Sequence, residues 1–198
     1  MSTPDCCRGV PGDENYKPKG LFLDKYNLNV YEVKASCGTN KGTLLFLPDA
    51  FGLASHNVIL SDLYAIEGYD VLLVDILEGD PLPIAFMKYV PGTDIDRYDN
   101  FTAKDKNIVR KVDLGTWGGV HNPAHISSLV APFVEKVKQE MPSGTKLYAL
   151  GHCFGGKHAL KLAQETGITA VIAMHPSFLE PSDSRDLNCP VFVGCAGK

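Results

Sequence analysis

The pattern of apolar positions divides this chain into buried strands and one-sided helices. Gly42 introduces Thr43-Leu44-Leu45-Phe46-Leu47, a continuous apolar run expected of a strand covered on both faces. Runs of the same kind recur at Val71-Leu72-Leu73-Val74-Asp75, at Leu147-Tyr148-Ala149-Leu150, from Ile168 to Met174 and from Pro190 to Cys195. Between them the spacing turns helical. Val58, Ile59, Leu63 and Ile66 predict a helix that starts from a cap near Ser55 and stops at Gly68. Asn122-Pro123 opens a second helix with a cap and a proline at its first position, and Ile126, Leu129, Val130, Phe133, Val134 and Val137 give it one apolar face up to Met141-Pro142. Residues 157–163 predict a third, ended by Gly167. Strand and helix in alternation make a parallel sheet of at least five strands with helices on both faces, an α/β fold.

Outside that repeat the pattern is weaker. Leu21 to Asp24 and Asn29 to Lys34 read as two strands around a turn at Lys25-Tyr26-Asn27, the second alternating too imperfectly to assign its faces. Residues 1–19 are polar and hold Pro and Gly, as in an extended arm. Residues 76–121 are broken by Pro81, Pro83 and Pro91, with a short helix expected around Ala103 to Val112. So long a connection reads either as a lid or pocket wall or as a plain surface excursion. Trp117 within it is expected in a core.

The chemistry concentrates in Gly151-His152-Cys153-Phe154-Gly155-Gly156, between an expected strand and an expected helix. A nucleophile flanked by glycines at such a junction has the form of a nucleophile elbow. The turn strains the nucleophile's backbone, and glycines at the flanks remove side chains that would strike neighbouring backbone. Cys153 would then stand at the N-terminus of a helix, where free amides and the helix dipole favour a thiolate, and the Phe154 amide would face an oxyanion. Two other readings use the same residues. Cys153 could be a small buried hydrophobe. Gly151 to Lys157 also fits the phosphate loop G-x-x-x-x-G-K, although His158 stands where that motif needs Ser or Thr for magnesium. Asp49, Cys153 and His175 each follow the end of a predicted strand, the side of an open parallel sheet where ligands bind.

Composition removes several classes. The 198 residues suffice for one α/β domain, and 44% apolar content is that of an ordinary globular chain. A net charge of -4 gives no footing for nucleic acid. No stretch approaches the ~20 apolar residues of a membrane span, and the first residues lack a signal peptide, so a cytoplasmic protein with its six cysteines reduced is expected. No cysteine spacing suggests a metal site.

Three stretches together resemble the dienelactone hydrolase family of the α/β-hydrolase superfamily: the elbow at Gly151 to Gly156, the Pro48-Asp49-Ala50-Phe51-Gly52 loop, and His175-Pro176-Ser177-Phe178. Cys6-Cys7 also looks like eukaryotic members of the group. The resemblance implies hydrolysis of an ester or lactone, with Cys153 forming a thioester acyl-enzyme, an oxyanion hole from the amides of Phe154 and Ala50, and no cofactor. It puts Asp49, His152 and His175 around the nucleophile, Asp49 where many members carry an acidic residue that meets the resting nucleophile. It also implies a triad acid after the strand ending at Gly194-Cys195-Ala196 and a histidine later still, whereas the last residue is Lys198. Residues 1–198 are therefore expected to form a single α/β-hydrolase domain, incomplete at its C-terminus, with the last strand and helix missing. The alternatives that follow are a triad rebuilt from Cys153, His175 and Asp49, or an impaired remnant that binds a small molecule in the same crevice. The run at residues 191–195 would then be an unprotected edge strand open to self-association.

Overall fold

Continuous apolar runs become strands whose alternate side chains feed two different cores. This is seen in a computed structural model that describes residues 12–13, 15–36, 38, 40–88 and 101–195; Cys6-Cys7, the first part of the arm and residues 89–100 of the long connection lie outside the described residues. The strands are β1 (Leu21–Lys25), β2 (Leu28–Val33), β3 (Gly42–Leu47), β4 (Tyr69–Val74), β5 (Leu147–His152), β6 (Ala170–Met174) and β7 (Val191–Gly194). The helices are α1 (Ser55–Ile66), α2 (Ala103–Lys111), α3 (Leu114–Val120), α4 (Pro123–Glu140) and α5 (Phe154–Leu162). One sheet takes the order β1-β2-β4-β3-β5-β6-β7. From β4 to β7 every neighbouring pair is parallel, while β2 runs antiparallel to both β1 and β4.

Within β3, Leu45 and Leu47 face a core completed by α4 and α5, and Leu44 and Phe46 face one completed by α1. The same split divides β4, with Leu72 and Val74 on the first side and Val71 and Leu73 on the second. Helices thus cover both faces, as a doubly buried parallel sheet requires. The imperfect alternation of β2 has the same cause. It lies between β1 and β4, so Val30 and Tyr31 point to opposite faces and both are buried.

Three local expectations shift. Helix α5 begins at Phe154, directly after Cys153 and three residues before the apolar spacing announces it. Helix α1 takes its cap position at Ala54, without a side-chain cap. Helix α3 was not foreseen, because its Gly-rich sequence LGTWGGV carries no apolar stripe; the Asp113 carboxylate, accepting from the Gly115 and Thr116 amides, opens it. Trp117 on α3 packs against the main core, its indole N–H donating to the Asp80 carbonyl at 2.9 Å. At the outer edge, β7 and its neighbour leave Phe192 at 60% exposure, with Val193 and Ile172 also exposed.

The described part of the arm is fastened to α1. The Asp62 carboxylate, 1% exposed, accepts from the hydroxyl of Tyr16 at 2.7 Å, the amide of Lys19 at 3.0 Å and the hydroxyl of Tyr31. Burial, and then the bond to Asp62, push the Tyr31 hydroxyl above its ordinary value, so it stays a donor. Replacing Asp62 with Ala strands that buried hydroxyl. The D62A variant is expected to lose about 2–3 kcal/mol of unfolding free energy in urea titrations, and Asp62→Asn, which keeps an acceptor, distinctly less.

Candidate active site

Strands β3, β5 and β6 end level with one another: Leu47 pairs with Gly151, and Gly151 with Ala173. The residues that follow these ends therefore meet at one edge of the sheet, where Asp49, Cys153 and His175 were expected. Cys153 adopts φ 47° and ψ −108°, a conformation that strains any residue with a side chain. Its amide donates to the Met174 carbonyl at 3.0 Å, and its carbonyl accepts from Gly156 at 3.1 Å and Ser177 at 2.9 Å. The thiol stands at the start of α5, the end of the helix that favours negative charge.

The flanking glycines leave no choice of residue. A Cβ on Gly151 would lie 2.3 Å from the Gly155 carbonyl oxygen, and one on Gly155 would lie 2.2 Å from that of Leu47 and 2.4 Å from that of Pro48. The Gly155 amide uses this proximity to donate to the Pro48 carbonyl at 3.0 Å. That bond ties the elbow to the loop carrying Asp49 and Ala50, and the Ala50 carbonyl in turn accepts from Leu82 at 2.8 Å. Phe154 is buried in the main core, its ring 5.5 Å from that of Trp117.

Asp49 serves its own loop. Oδ1 accepts from the Phe51 amide and from the Asn57 side chain, both at 3.0 Å, and Oδ2 lies 2.8 Å from His56 Nε2. Burial works against its charge, but the bonds from His56, Asn57 and Phe51 outweigh it and hold the carboxyl below the usual carboxylate range. A triad rebuilt with Asp49 bonded to His175 differs from what is observed, because the imidazole that Asp49 holds is His56. A hydroxyl lies within hydrogen-bond reach of the sulfur: Cys153 Sγ and Ser177 Oγ are 3.2 Å apart.

The histidines are packed rather than solvated. The His152 ring lies 4.9 Å from Phe46 and 5.8 Å from His175. Burial, and then the proximity of His175, push its pKa down to about 4 against the smaller opposing pull of Asp49. The His175 amide donates to the Gly194 carbonyl, with the residue at φ 38°. Nε2 of His152 and Nδ1 of His175 and His56 are buried without a hydrogen-bond partner among the described residues. The lysine of the phosphate-loop reading is committed elsewhere: Lys157, 3% exposed, donates to Asp183 Oδ2 at 2.8 Å and to the Phe178 carbonyl at 2.9 Å. Among the described residues no three His, Cys, Asp or Glu side chains are grouped to hold a metal ion, and no helix is long and apolar enough to cross a membrane.

His56, Asn57 and Ser177 have parts in this geometry that the sequence reading did not assign. His56 and Asn57 open α1 seven and eight residues after Asp49, close enough for the helix start to fold back on the loop. Ser177 was signalled by its place in the His175-Pro176-Ser177-Phe178 stretch, just past the strand that turned out to adjoin the elbow strand, but no part in the site was assigned to it.

The model of the dienelactone hydrolase family matches residues 31–198. The chain belongs to that family. Hydrolase pyvD of Aspergillus violaceofuscus is 24% identical over 194 residues, covering 98% of this chain and 69% of that protein. Dienlactone hydrolase 1 of Gibberella moniliformis is 28% identical, covering 94% of this chain and 66% of that protein. The chain spans about two thirds of the length of these relatives. The crystal structure of a dienelactone hydrolase from Anabaena variabilis matches with a TM-score of 0.55 at 17% identity, over 90% of this chain and 73% of that one. That of a dienelactone hydrolase-like promiscuous phosphotriesterase from metagenomic libraries matches at 0.56 and 20%, over 87% and 64%. These two likenesses bear on the fold: a mostly parallel α/β-hydrolase sheet.

Two outcomes follow from this geometry. Gly155→Ala forces backbone apart and is expected to cost on the order of 3–5 kcal/mol in urea unfolding, whereas Gly118→Ala on α3, where nothing beyond the helix's own backbone lies within 4 Å of the new Cβ, gains up to about 1 kcal/mol. The second concerns acid. Burial, and then the charges of Lys161 and Lys157, also lower His158 to about 4. Between about pH 6.5 and pH 4 the unfolded His152 and His158 bind protons that the folded ones refuse, so stability falls as pH falls through that window. Unfolding near pH 5 should show a loss of about 2 kcal/mol per histidine relative to pH 7, reduced in His158→Gln.

Proposed function

We propose that this chain is a carboxylic-ester or lactone hydrolase that works through a Cys153 thioester. The observation that carries the reading is the left-handed backbone of Cys153, held at the junction of β5 and α5 by contacts that only glycines permit. Strain of this kind is kept where the surrounding fold over-determines it, and it turns the nucleophile out of the sheet. Family membership and relatives named as hydrolases support the reaction class.

In this mechanism the Cys153 thiolate attacks the carbonyl carbon, and the carbonyl electron pair moves onto oxygen. The amides of Phe154 and Ala50 receive that oxyanion, the second kept beside the elbow by the bond from Gly155 to Pro48. Collapse breaks the C–O bond, the leaving alkoxide takes a proton from water and leaves hydroxide, and the acyl group stays on sulfur. Hydroxide then attacks the thioester, and breaking the C–S bond releases the carboxylic acid and the Cys153 thiolate. His152 and His175 line the crevice, and the Asp49–His56 pair fixes the oxyanion loop. None of these steps asks for a cofactor. The reading places the protein in the cytoplasm, where thiols stay reduced.

The test is incubation with an aryl ester of a short carboxylic acid. Aryl alcohol is expected to be released, and the peptide containing Cys153 to gain the mass of the acyl group. Both are expected to vanish in Cys153→Ala, with loss of several powers of ten in rate. Acylation of Cys189 or Cys195 instead, or release unchanged by the substitution, overturns the reading. Thermal stabilisation by the ester without release would point to a binder in the same crevice.

A further inference from the structure

The segment after β6 is bent, tied and buried so as to bring one hydroxyl to the nucleophile. His175 at φ 38° and Phe178 at φ 57° bracket Pro176-Ser177, folding the chain back under the elbow. The Ser177 amide donates to the Cys153 carbonyl at 2.9 Å, and Pro176 fits so closely that a Cβ on Gly156 would lie 2.8 Å from its ring. Beyond the bend, Lys157 of α5 grips the Phe178 carbonyl at 2.9 Å, Asp183 at 2.8 Å and Glu180 at 3.4 Å. Asp183 also accepts from the Glu180 amide at 2.8 Å. Ser177, 4% exposed, is thereby held from both sides, with Oγ 3.2 Å from Sγ.

We propose that Ser177 is a positioning residue for the nucleophile, its hydroxyl donating to the Cys153 thiolate and fixing where the sulfur points. The proposal deepens the cysteine-hydrolase reading and rests on it. With a protonated thiol either atom can donate, but a thiolate has no hydrogen, so the hydroxyl must. A hydrogen bond made better to the charged form than to the neutral one shifts the equilibrium towards the charged form. The bond uses a fixed hydroxyl that is already in place, so nothing has to reorganise when the sulfur ionises.

The experiment is the pH profile of Cys153 alkylation by iodoacetamide, followed by mass spectrometry of the Cys153 peptide in the folded protein. In Ser177→Ala the profile is expected to move up by about one pH unit, an approximately tenfold slower labelling below the midpoint. Should Ser177→Ala fail to fold, Ser177→Thr and Ser177→Val serve as a pair of equal volume that differ by the hydroxyl. The threonine variant is expected to keep the wild-type profile and the valine variant to lose it. Identical profiles in wild type and Ser177→Ala, or in the Thr and Val variants, overturn the role of Ser177 while leaving Cys153 as nucleophile. Wild-type labelling of Cys153 no faster than that of the urea-unfolded chain overturns both.

Discussion

The contact on which the rest depends is the approach of Gly155 to the end of β3. Two carbonyl oxygens lie where a side chain would begin, and the amide between them bonds to Pro48. Backbone packed against backbone at this distance cannot slide. It fixes the start of α5 against the centre of the sheet and holds Cys153 in a conformation it would otherwise leave. The loop bearing Asp49 and Ala50 is set by the same contact, so Cys153 and that loop share one anchor.

Around that anchor the charges are arranged to stay put. Lys157 is buried and would be costly alone, but it is matched by Asp183 and a backbone carbonyl, which turns it into a latch between α5 and the segment after β6. Asp49 is ionised and matched by His56 and Asn57. His152 is kept neutral by its burial. The sulfur itself stands at a helix end that favours negative charge.

The sheet was legible because its evidence is repetitive: each buried strand announces itself by an uninterrupted apolar run, and each covering helix by spacing. The elbow was legible for a different reason, since the glycines at 151 and 155 are obligatory and leave a local signature. Helix α3 escaped because capping by Asp113, not an apolar face, establishes it. Ser177 and His56 escaped because their roles are tertiary. The reach of Ser177 to sulfur depends on β6 lying beside β5, and the choice of His56 over His175 for Asp49 depends on how α1 leaves its loop. Residue types near a motif were readable, whereas which of them touch was decided by strand order.

Helix α1 is held at two points. Its first turn secures Asp49 through His56 and Asn57, and its middle secures the arm through Asp62. Gly12 passes so close to its first turn that a Cβ there would lie 2.5 Å from the His56 nitrogen. The arm is thus a strap drawn over the helix that steadies the Asp49 loop. Cutting the strap, by a protease or by starting the chain beyond Lys19, takes Tyr16 and the Lys19 amide from Asp62 and so slackens a helix whose first turn holds Asp49.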